Sequence, residues 1–357
     1  MKIDILRKRV QNIRRQLREK GIDCLILTKS VDVTYVTAFA GADSWAAITR
    51  TSVYLITDSR YTEQAQKECI QTSIVERKGP ITGAVATLVG RLKSVKTVAV
   101  DSSISLSSFQ ELKKACGPLK TISGILEASR SIKDAGERAS IEVSIDVAAK
   151  AMENTRRHFT PGITENELAG VLNLEMRKLG CTNGFETIVA FGPNASRPHH
   201  QPMHRKLKKR DTILIDFGAA YNGYRCDMTR CFAVGRPTAE YRRAYEVVTR
   251  AQAAAIAAAK AGAPLVEIDA APRKVIRESG YPVYGHGSGH GFGLEIHEIP
   301  FLKEDATGTL QAGQIITIEP GIYLPGKLGV RVEDDILITE DGCEILTTKC
   351  PHAPWDI

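Results

Sequence analysis

The chain has 357 residues, 43% of them hydrophobic and 25% charged, a length and composition that exclude a disordered chain, a collagen and a coiled coil. The length predicts about two domains, each large enough to bury its own core. The net charge of +7 includes basic runs at residues 7–9 and 205–210. Because no nucleic-acid motif accompanies these runs, we expect no nucleic-acid partner.

The sequence shows no segment suited to a membrane or to secretion. Charged side chains interrupt residues 1–15, and the longest apolar tract, residues 253–259, stops at Lys260. We therefore expect a cytoplasmic protein with no signal peptide, spanning helix or membrane partner. The eight cysteines form no Cys-x-x-Cys pair, which predicts reduced thiols and no zinc ribbon.

The first part of the chain alternates between helices and strands. Hydrophobic residues from Ile3 to Leu17 recur at helical spacing and predict a helix that ends at Gly21. A second helix is predicted over residues 82–92. Apolar strands are predicted at residues 24–28, 53–56 and 97–100. This alternation indicates a small α/β domain at residues 1–128.

A polar connection at residues 132–138 leads into a second domain, at residues 129–357. Its first helix carries an apolar stripe around Ile145, and Thr164 and Glu167 have the spacing of a capping box that starts the next helix. Later helices are predicted at residues 239–260 and 265–279, and strands at residues 188–190, 212–217, 224–234, 314–319 and 330–339. Helices beside a mainly antiparallel sheet make this domain α+β.

A hairpin brings two aspartates together in the second domain. Asn222-Gly223 between two apolar runs predicts a two-residue turn. The resulting register places Asp216 opposite Thr229, and Asp227 two residues from Thr229 on the same strand. The aspartates are then diagonal neighbours on one face, about 7–8 Å apart at the backbone. We expect their carboxylates to converge on one site.

Three histidines, His286, His290 and His297, lie in a glycine-rich stretch. A zincin helix is excluded because that motif needs Glu directly after its first histidine, where this chain has Gly287. The alternating glycines favour an extended segment that a ligand approaches closely, with His286 and His290 on the same face. We interpret the cluster as part of a functional site.

Two more acids complete the candidate site. Glu319 ends a predicted strand, and alternation places Arg331, Glu333 and Asp335 on one face of the last strand. Four converging carboxylates cannot all stay ionised without metal, whereas two divalent cations would balance their charge. With His290 added, the donors are mainly oxygen atoms, which favours manganese or a similar first-row ion over thiolate-bound zinc.

The acids and His290 lie in the local sequences Ile-Asp-Phe-Gly, Asp-Met-Thr-Arg, His-Gly-Ser-Gly-His, Ile-Glu-Pro-Gly and Val-Glu-Asp-Asp. In this order they resemble the pita-bread metallopeptidases, most of all the branch of Xaa-Pro dipeptidase (prolidase) and aminopeptidase P. Residues 35–41 and 58–61 resemble the N-terminal domain that these enzymes share with creatinase. Creatinase itself lacks the metal ligands, so its chemistry is not expected here.

The resemblance implies a C-terminal pita-bread catalytic domain, a smaller creatinase-like N-terminal domain and two divalent metal ions. Manganese is expected, with cobalt or zinc as alternatives. Asp216 would hold one ion, His290 and Glu319 the other, and Asp227 and Glu333 would bridge both. A water between the ions would have a lowered pKa and act as the nucleophile.

The resemblance also implies roles for further side chains. His199 would stabilise the tetrahedral intermediate, although the adjacent His200 leaves this assignment ambiguous by one position. His297 would lie near the scissile bond, and Arg331 would hold a bridging carboxylate. The substrate-binding residues would be His286 and Tyr323. Ser288 and Phe292 differ from the aliphatic residues more common in the family motif, a difference expected to affect the substrate pocket.

The expected activity is hydrolysis of the bond between an N-terminal residue and proline, in a dipeptide or at a peptide N-terminus. The alternatives are another pita-bread aminopeptidase, such as a methionine aminopeptidase, and a non-catalytic peptide-binding module of the same fold. The resemblance further implies a homodimer. Trp45, in the loop after Gly41, is the candidate to reach the partner's active site, with packing inside its own domain as the alternative.

Overall fold

A computed structural model describes residues 2–352. The chain divides into two compact units, Met1–Arg130 and Ser131–Ile357, a division two residues after the boundary that the sequence predicts. None of the helices in the described part of the chain is long and apolar enough to cross a bilayer.

The first unit is built on one six-stranded sheet. Its helices are α1 (Lys2–Glu19), α2 (Ser30–Thr37), α3 (Thr62–Glu68), α4 (Ile81–Arg91), α5 (Leu106–Cys116) and α6 (Ile125–Ser131). The last residue of α6, Ser131, is the first residue of the second unit. The strands of the first unit are β1 (Cys24–Leu27), β2 (Trp45–Thr49), β3 (Val53–Thr57), β4 (Ser73–Glu76), β5 (Val98–Asp101) and β6 (Leu119–Ile122). The sheet order is β4-β3-β2-β1-β5-β6, with β2 antiparallel to both neighbours and the other pairs parallel.

Helix α1 buries its predicted apolar stripe except at Ile3, which is exposed. Gly21, with φ +63°, follows the helix and leads into β1. The placement of Trp45 in a loop is wrong. This residue begins β2, pairs with Ile56 of β3 and packs, half-buried, against the core of its own unit.

The second unit combines four helices with short antiparallel strands. Its helices are α7 (Ala135–Arg156), α8 (Glu165–Lys178), α9 (Ala239–Ala258) and α10 (Leu265–Glu278). Its strands are β7 (Thr182–Asn183), β8 (Ile188–Phe191), β9 (Thr212–Phe217), β10 (Ala219–Tyr221), β11 (Tyr224–Arg225), β12 (Met228–Ala233), β13 (Gly289–Gly291), β14 (Glu298–Leu302), β15 (Ile315–Ile318), β16 (Gly321–Leu324), β17 (Leu328–Arg331), β18 (Asp334–Ile338) and β19 (Cys343–Ile345). The predicted α+β class is confirmed.

The strands of the second unit form four small sheets, ordered β11-β10-β7, β12-β9-β8, β14-β13-β15-β18-β19 and β16-β17. Every strand pair described in them is antiparallel. Helix α9 covers part of them, since Tyr241 and Val248 pack with Leu214 of β9 and Val330 of β17 in one core cluster. This packing fixes the relative positions of strands that carry the candidate site.

The helix starts follow local capping chemistry. Thr164 and Glu167 form the predicted capping box of α8. The predicted connection at residues 132–138 is wrong in its second half, because α7 already begins at Ala135. Asp134 caps this helix, and Glu137 completes a second capping box.

Candidate metal centre

The hairpin predicted from Asn-Gly is confirmed, with Asp216 of β9 opposite Thr229 of β12. The predicted continuous strand at residues 224–234 is divided into β11 and β12, and Asp227 lies in the gap, directly before β12. The N–H of Asp227 therefore leaves the strand ladder and donates to Oδ2 of Asp335 at 3.1 Å. This contact fixes the backbone that carries one of the candidate ligands.

Two further candidate ligands also flank strands. Glu319 directly follows β15 and Glu333 directly precedes β18. The predicted strand at residues 330–339 is thus divided between β17 and β18, and the expected alternation across it does not apply. Thr229 donates its hydroxyl hydrogen to Oε2 of Glu333 at 2.6 Å. The strand break lets the Glu333 carboxylate turn toward β12.

His290 is the central residue of β13, between two glycines that are required by strand packing. A Cβ on Gly289 would lie 2.0 Å from the carbonyl oxygen of Thr317, and one on Gly291 would lie 2.4 Å from that of Ile299. The glycines therefore let neighbouring strands approach β13. Gly287 and Gly289 also line a cavity, so the expectation that a ligand approaches this stretch closely stays a prediction.

The imidazole of His290 presents a lone pair to the acids. Its Nδ1 donates to the carbonyl oxygen of Gly291 at 3.1 Å, since a carbonyl can only accept. Its Nε2 lies 3.5 Å from Oε1 of Glu319 and 3.7 Å from Oδ2 of Asp227. Burial lowers the pKa of His290 to about 4, so the ring is neutral at neutral pH. Potential ligand atoms of Asp227, His290 and Glu333 all lie within 4.8 Å of one another.

The carboxylate cluster, Asp216, Asp227, Glu319 and Glu333, is electrostatically unfavourable as a set of free acids. Burial raises the pKa of Asp227 and of Glu333 well above the usual range, and neighbouring carboxylates act in the same direction. Burial likewise raises the pKa of Glu319 to about 8. Oδ1 of Asp216 is buried and has no hydrogen-bond partner among the described residues. Oxygen donors, a neutral imidazole and this unpaired oxygen fit divalent cations.

Arg331 connects the cluster to its surroundings. It donates to Oδ2 of Asp216 at 2.5 Å, to the hydroxyl of Thr229 at 3.0 Å and to the hydroxyl of Tyr323 at 2.9 Å. Its direct carboxylate partner is therefore Asp216, and it reaches Glu333 only through Thr229. The guanidinium holds two of the candidate ligands in a fixed relation.

A cavity of about 560 Å³ opens onto the cluster. The predicted site residues that line it are His199, Asp216, Asp227, His286, His290, His297, Glu319, Arg331 and Glu333. Tyr323 is outside this lining, and its hydroxyl donates to Nε2 of His286 at 3.0 Å. His200 is buried and donates to Glu165 at 2.9 Å. Of the two adjacent histidines, the cavity lining includes His199.

The remaining predicted residues divide between the cavity and the core. The rings of His290 and His297 meet edge to face at 4.4 Å, and burial lowers the pKa of His297. Ser288 and Phe292 are fully buried and are not part of the cavity lining. Any effect of these two differences on the substrate pocket is therefore indirect and stays a prediction.

Sequence reasoning missed one wall of the cavity. Strand β14 alternates buried and exposed residues, and its exposed Phe301, together with Lys303 just beyond the strand, lines the cavity. Phe301 pairs with His290 across the β13–β14 ladder, so the two side chains are close neighbours on one face. The alternation was the available signal, but Pro300 within so short a run argues against a strand.

Comparison with known proteins identifies relatives over nearly the whole chain. Metallopeptidase family M24 matches residues 139–340, and the creatinase/prolidase N-terminal domain matches residues 9–132. An Xaa-Pro dipeptidase of Pyrococcus horikoshii is 33% identical over 97% of this chain and 98% of its own. The structure of an Xaa-Pro dipeptidase from Bacillus anthracis matches with a TM-score of 0.93 at 35% identity, over 98% of this chain and 99% of that one. An X-Pro aminopeptidase from Thermotoga maritima matches with a TM-score of 0.89 at 36% identity, over 96% and 99%.

Proposed function

The chain belongs to metallopeptidase family M24, and we propose that it is a metal-dependent exopeptidase that hydrolyses the bond between an N-terminal residue and proline. The resemblance inferred from the motifs, including the pita-bread fold, is confirmed. The observation that carries the proposal is the carboxylate cluster with His290 at the wall of one cavity. A peptide-binding module that had lost catalysis would have no need of this ligand set.

We propose that two divalent ions, manganese in the first place, bind at the cluster. Asp216 would hold one ion and His290 with Glu319 the other, while Asp227 and Glu333 would bridge them. Bound there, the ions supply a water of lowered pKa and polarise the scissile carbonyl. The support for this arrangement is the buried, unpaired oxygen of Asp216 and the lone pair that Nε2 of His290 presents to Glu319 and Asp227.

The histidines of the cavity supply the hydrogen bonds of the reaction. We propose that His199 donates to the oxygen on which negative charge develops in the transition state. His297, whose ring touches that of His290, is the second candidate for proton transfer at the scissile bond. Burial lowers its pKa, which favours the neutral form that can both accept and donate a proton. Arg331 keeps Asp216 oriented toward the cluster.

The wall formed by β14 suggests how the proline side of the substrate is bound. Phe301 is 41% exposed next to His290 and offers an apolar surface for a pyrrolidine ring. Lys303 is exposed and pairs with the exposed Asp305 at 3.2 Å, a contact that costs little to exchange. We propose that Lys303 binds the free carboxylate of an Xaa-Pro dipeptide. Arg331 has less capacity for that role, because Asp216, Thr229 and Tyr323 occupy its guanidinium.

The experiment compares three substrates on a metal-loaded sample: an Xaa-Pro dipeptide, an Xaa-Pro-Xaa tripeptide and a peptide that begins with Met-Ala. Hydrolysis of the dipeptide alone supports prolidase activity, and hydrolysis of the tripeptide supports aminopeptidase P activity. Cleavage of only the Met-Ala peptide would establish a methionine aminopeptidase instead. Elemental analysis of the same sample tests for two ions per chain, and cleavage of none of the peptides despite full metal occupancy would refute the proposal.

We further propose that the protein is a cytoplasmic homodimer. The support for the dimer is the resemblance alone, because Trp45 packs within its own unit. Light scattering at the assay concentration tests the dimer. A monomer with full activity would exclude a dimer as a requirement for catalysis.

A further inference from the structure

Four side chains around the segment that carries His286 form a buried polar cluster with no role in the proposed reaction. Asp269 and Arg273 lie one turn apart on α10, and Tyr284 and Ser288 flank His286 in the sequence. All four are more than nine-tenths buried. We call Asp269, Arg273, Tyr284 and Ser288 the α10 brace.

The hydrogen bonds of the brace have a defined direction. Oδ2 of Asp269 accepts from Nε of Arg273 at 2.7 Å, and Oδ1 accepts from the N–H and the hydroxyl of Ser288 at 3.1 and 2.6 Å. Ser288 thereby uses its single hydroxyl hydrogen. The hydroxyl of Tyr284, 2.6 Å from Oγ of Ser288, must therefore be the donor in that pair.

The brace contacts His286 through both its backbone and its ring. Arg273 donates to the carbonyl oxygens of Tyr284 and His286 at 2.9 and 2.6 Å. The guanidinium of Arg273 lies 4.6 Å from the centre of the Tyr284 ring. That ring in turn stacks on the imidazole of His286, with centres 4.7 Å apart and planes at 26°. The plane of the imidazole is thus set by Tyr284.

At its edge, His286 joins the hydrogen bonds of the metal centre. Its Nδ1 donates to the carbonyl oxygen of Gly287 at 2.7 Å, so Nε2 is free to accept from the hydroxyl of Tyr323 at 3.0 Å. That hydroxyl accepts in turn from Arg331. A rotation of the imidazole would therefore weaken the bond to Tyr323 and change the wall of the cavity.

We propose that Asp269 and Arg273, acting through Tyr284 and Ser288, are positioning residues that fix the plane and tautomer of His286 for substrate binding. The inference rests on the proposed function for its effect on peptides. An aliphatic residue at position 288 could not connect Tyr284 to Asp269, so the brace depends on Ser288.

The first test is a double-mutant cycle. We expect Ser288→Ala, and independently Tyr284→Phe, to lower kcat/KM for an Xaa-Pro dipeptide roughly tenfold, mainly through KM, as for the loss of one buried hydrogen bond. In a His286→Ala background the same substitutions should cause no further loss. Ser279→Ala and Tyr281→Phe are the matched controls and should change neither constant. Equal losses in both backgrounds would mean a merely structural role and overturn the proposal.

The second test needs no activity. In protein labelled with 15N-histidine, the His286 signals are assigned by their disappearance in His286→Gln. We expect the ring nitrogens to show the Nδ1–H tautomer and to shift in Ser288→Ala and Tyr284→Phe but not in Tyr281→Phe. Unchanged signals in all variants would overturn the brace. If the wild-type protein cleaves no Xaa-Pro peptide, the proposed function fails, while these spectra still decide whether the brace positions His286.

Discussion

Glu333 and Asp334 are neighbours in the chain, yet the pKa values of their carboxyl groups shift in opposite directions. Burial and the nearby Glu319 carboxylate raise the pKa of Glu333 well above its usual range. Burial alone would raise the pKa of Asp334 as well, but a hydrogen bond from His352 and the charge of Arg230 outweigh it and lower the pKa to about 2. The Glu333 carboxylate lies among other carboxylates, whereas the Asp334 carboxylate contacts the guanidinium of Arg230.

The side of Asp334 is neutralised within the chain. Arg230 is fully buried and donates to Oδ1 of Asp334 at 2.9 Å and to the carbonyl oxygens of Glu333 and Cys350, both at 2.6 Å. We call the Arg230 network the set Arg230, Gln252, Asp334, Thr347 and His352. The side chains of Gln252, Thr347 and His352 are hydrogen-bonded to the Asp334 carboxylate. The network therefore stabilises the fold, whereas the carboxylate cluster needs charge from outside the chain.

Removal of metal should have the largest effect, because it acts on the carboxylate cluster, whose negative charge no cation of the Arg230 network balances. We expect chelation to abolish hydrolysis of an Xaa-Pro dipeptide and manganese or cobalt to restore it, since the donor set contains no thiolate that would favour zinc. Glu333→Gln should likewise lose metal while leaving the apoprotein at least as stable, because it removes one of the repelling carboxylates. Full activity in a sample that elemental analysis finds free of metal would break the comparison.

The carboxylate-cluster half of this comparison could be predicted in part from the sequence. The Asn-Gly turn predicted the register of Asp216 from a local rule. Glu319 and Glu333 were predicted from a strand end, from an alternation that the structure does not keep, and from the resemblance to the metallopeptidase motifs. Strand breaks at Asp227 and Glu333 could not be predicted, since they depend on contacts with Asp335 and Thr229, far away in the chain. The pairing of Arg230 with Asp334 and Cys350 was missed for the same reason: a buried ion pair leaves no periodic pattern.

Substitution of His199 tests the cavity that opens onto the carboxylate cluster. We expect His199→Ala to lower kcat by about two to three powers of ten, as for loss of one hydrogen bond to a developing oxyanion, with metal content unchanged. His200→Ala should instead lower the melting temperature, because it leaves the buried Glu165 without one of its partners. Loss of metal in His199→Ala, or inactivity of His200→Ala in a folded, metallated protein, would reverse these two assignments.

Asp334→Asn tests the Arg230 network, in which the carboxylate and the guanidinium balance each other's charge. We expect it to destabilise the protein by about 3 kcal/mol, because it leaves the buried Arg230 guanidinium without its counter-charge. Metal occupancy of the folded protein should persist, the opposite of Glu333→Gln. Urea unfolding of both variants, followed by elemental analysis, measures the difference. A variant of Asp334 that loses metal without losing stability would show that the carboxylate cluster and the Arg230 network do not act independently.

The pH dependence of stability should have opposite signs for the carboxylate cluster and for the Arg230 network. In apoprotein the pKa of Glu319 is raised to about 8, so its contribution to stability is present at low pH and is lost as pH rises from about 4.5 toward 8. The pKa of Asp334 is depressed, so its contribution is present above its usual pKa and is lost as pH falls toward 2. We expect the melting temperature of apoprotein to fall between pH 7 and pH 8, where His286, His290 and His297 are neutral in both the folded and the unfolded state, and added metal to remove that fall. A melting temperature of apoprotein that rises over this range would contradict the assignment.

Lys303 should show the smallest effect, because its charge is exposed and belongs to neither side. If its ammonium group binds the substrate carboxylate, Lys303→Gln should lower kcat/KM for an Xaa-Pro dipeptide roughly tenfold, the loss expected for one charge-assisted hydrogen bond in a partly exposed site. The same change should leave hydrolysis of the corresponding Xaa-Pro amide unaltered, since that substrate carries no carboxylate. Lys274→Gln, which removes another exposed lysine, on α10, is the control. An equal loss for acid and amide would mean that Lys303 supports the wall formed by β14 rather than the substrate, and no loss for either would leave the dipeptide carboxylate to the histidines of the cavity.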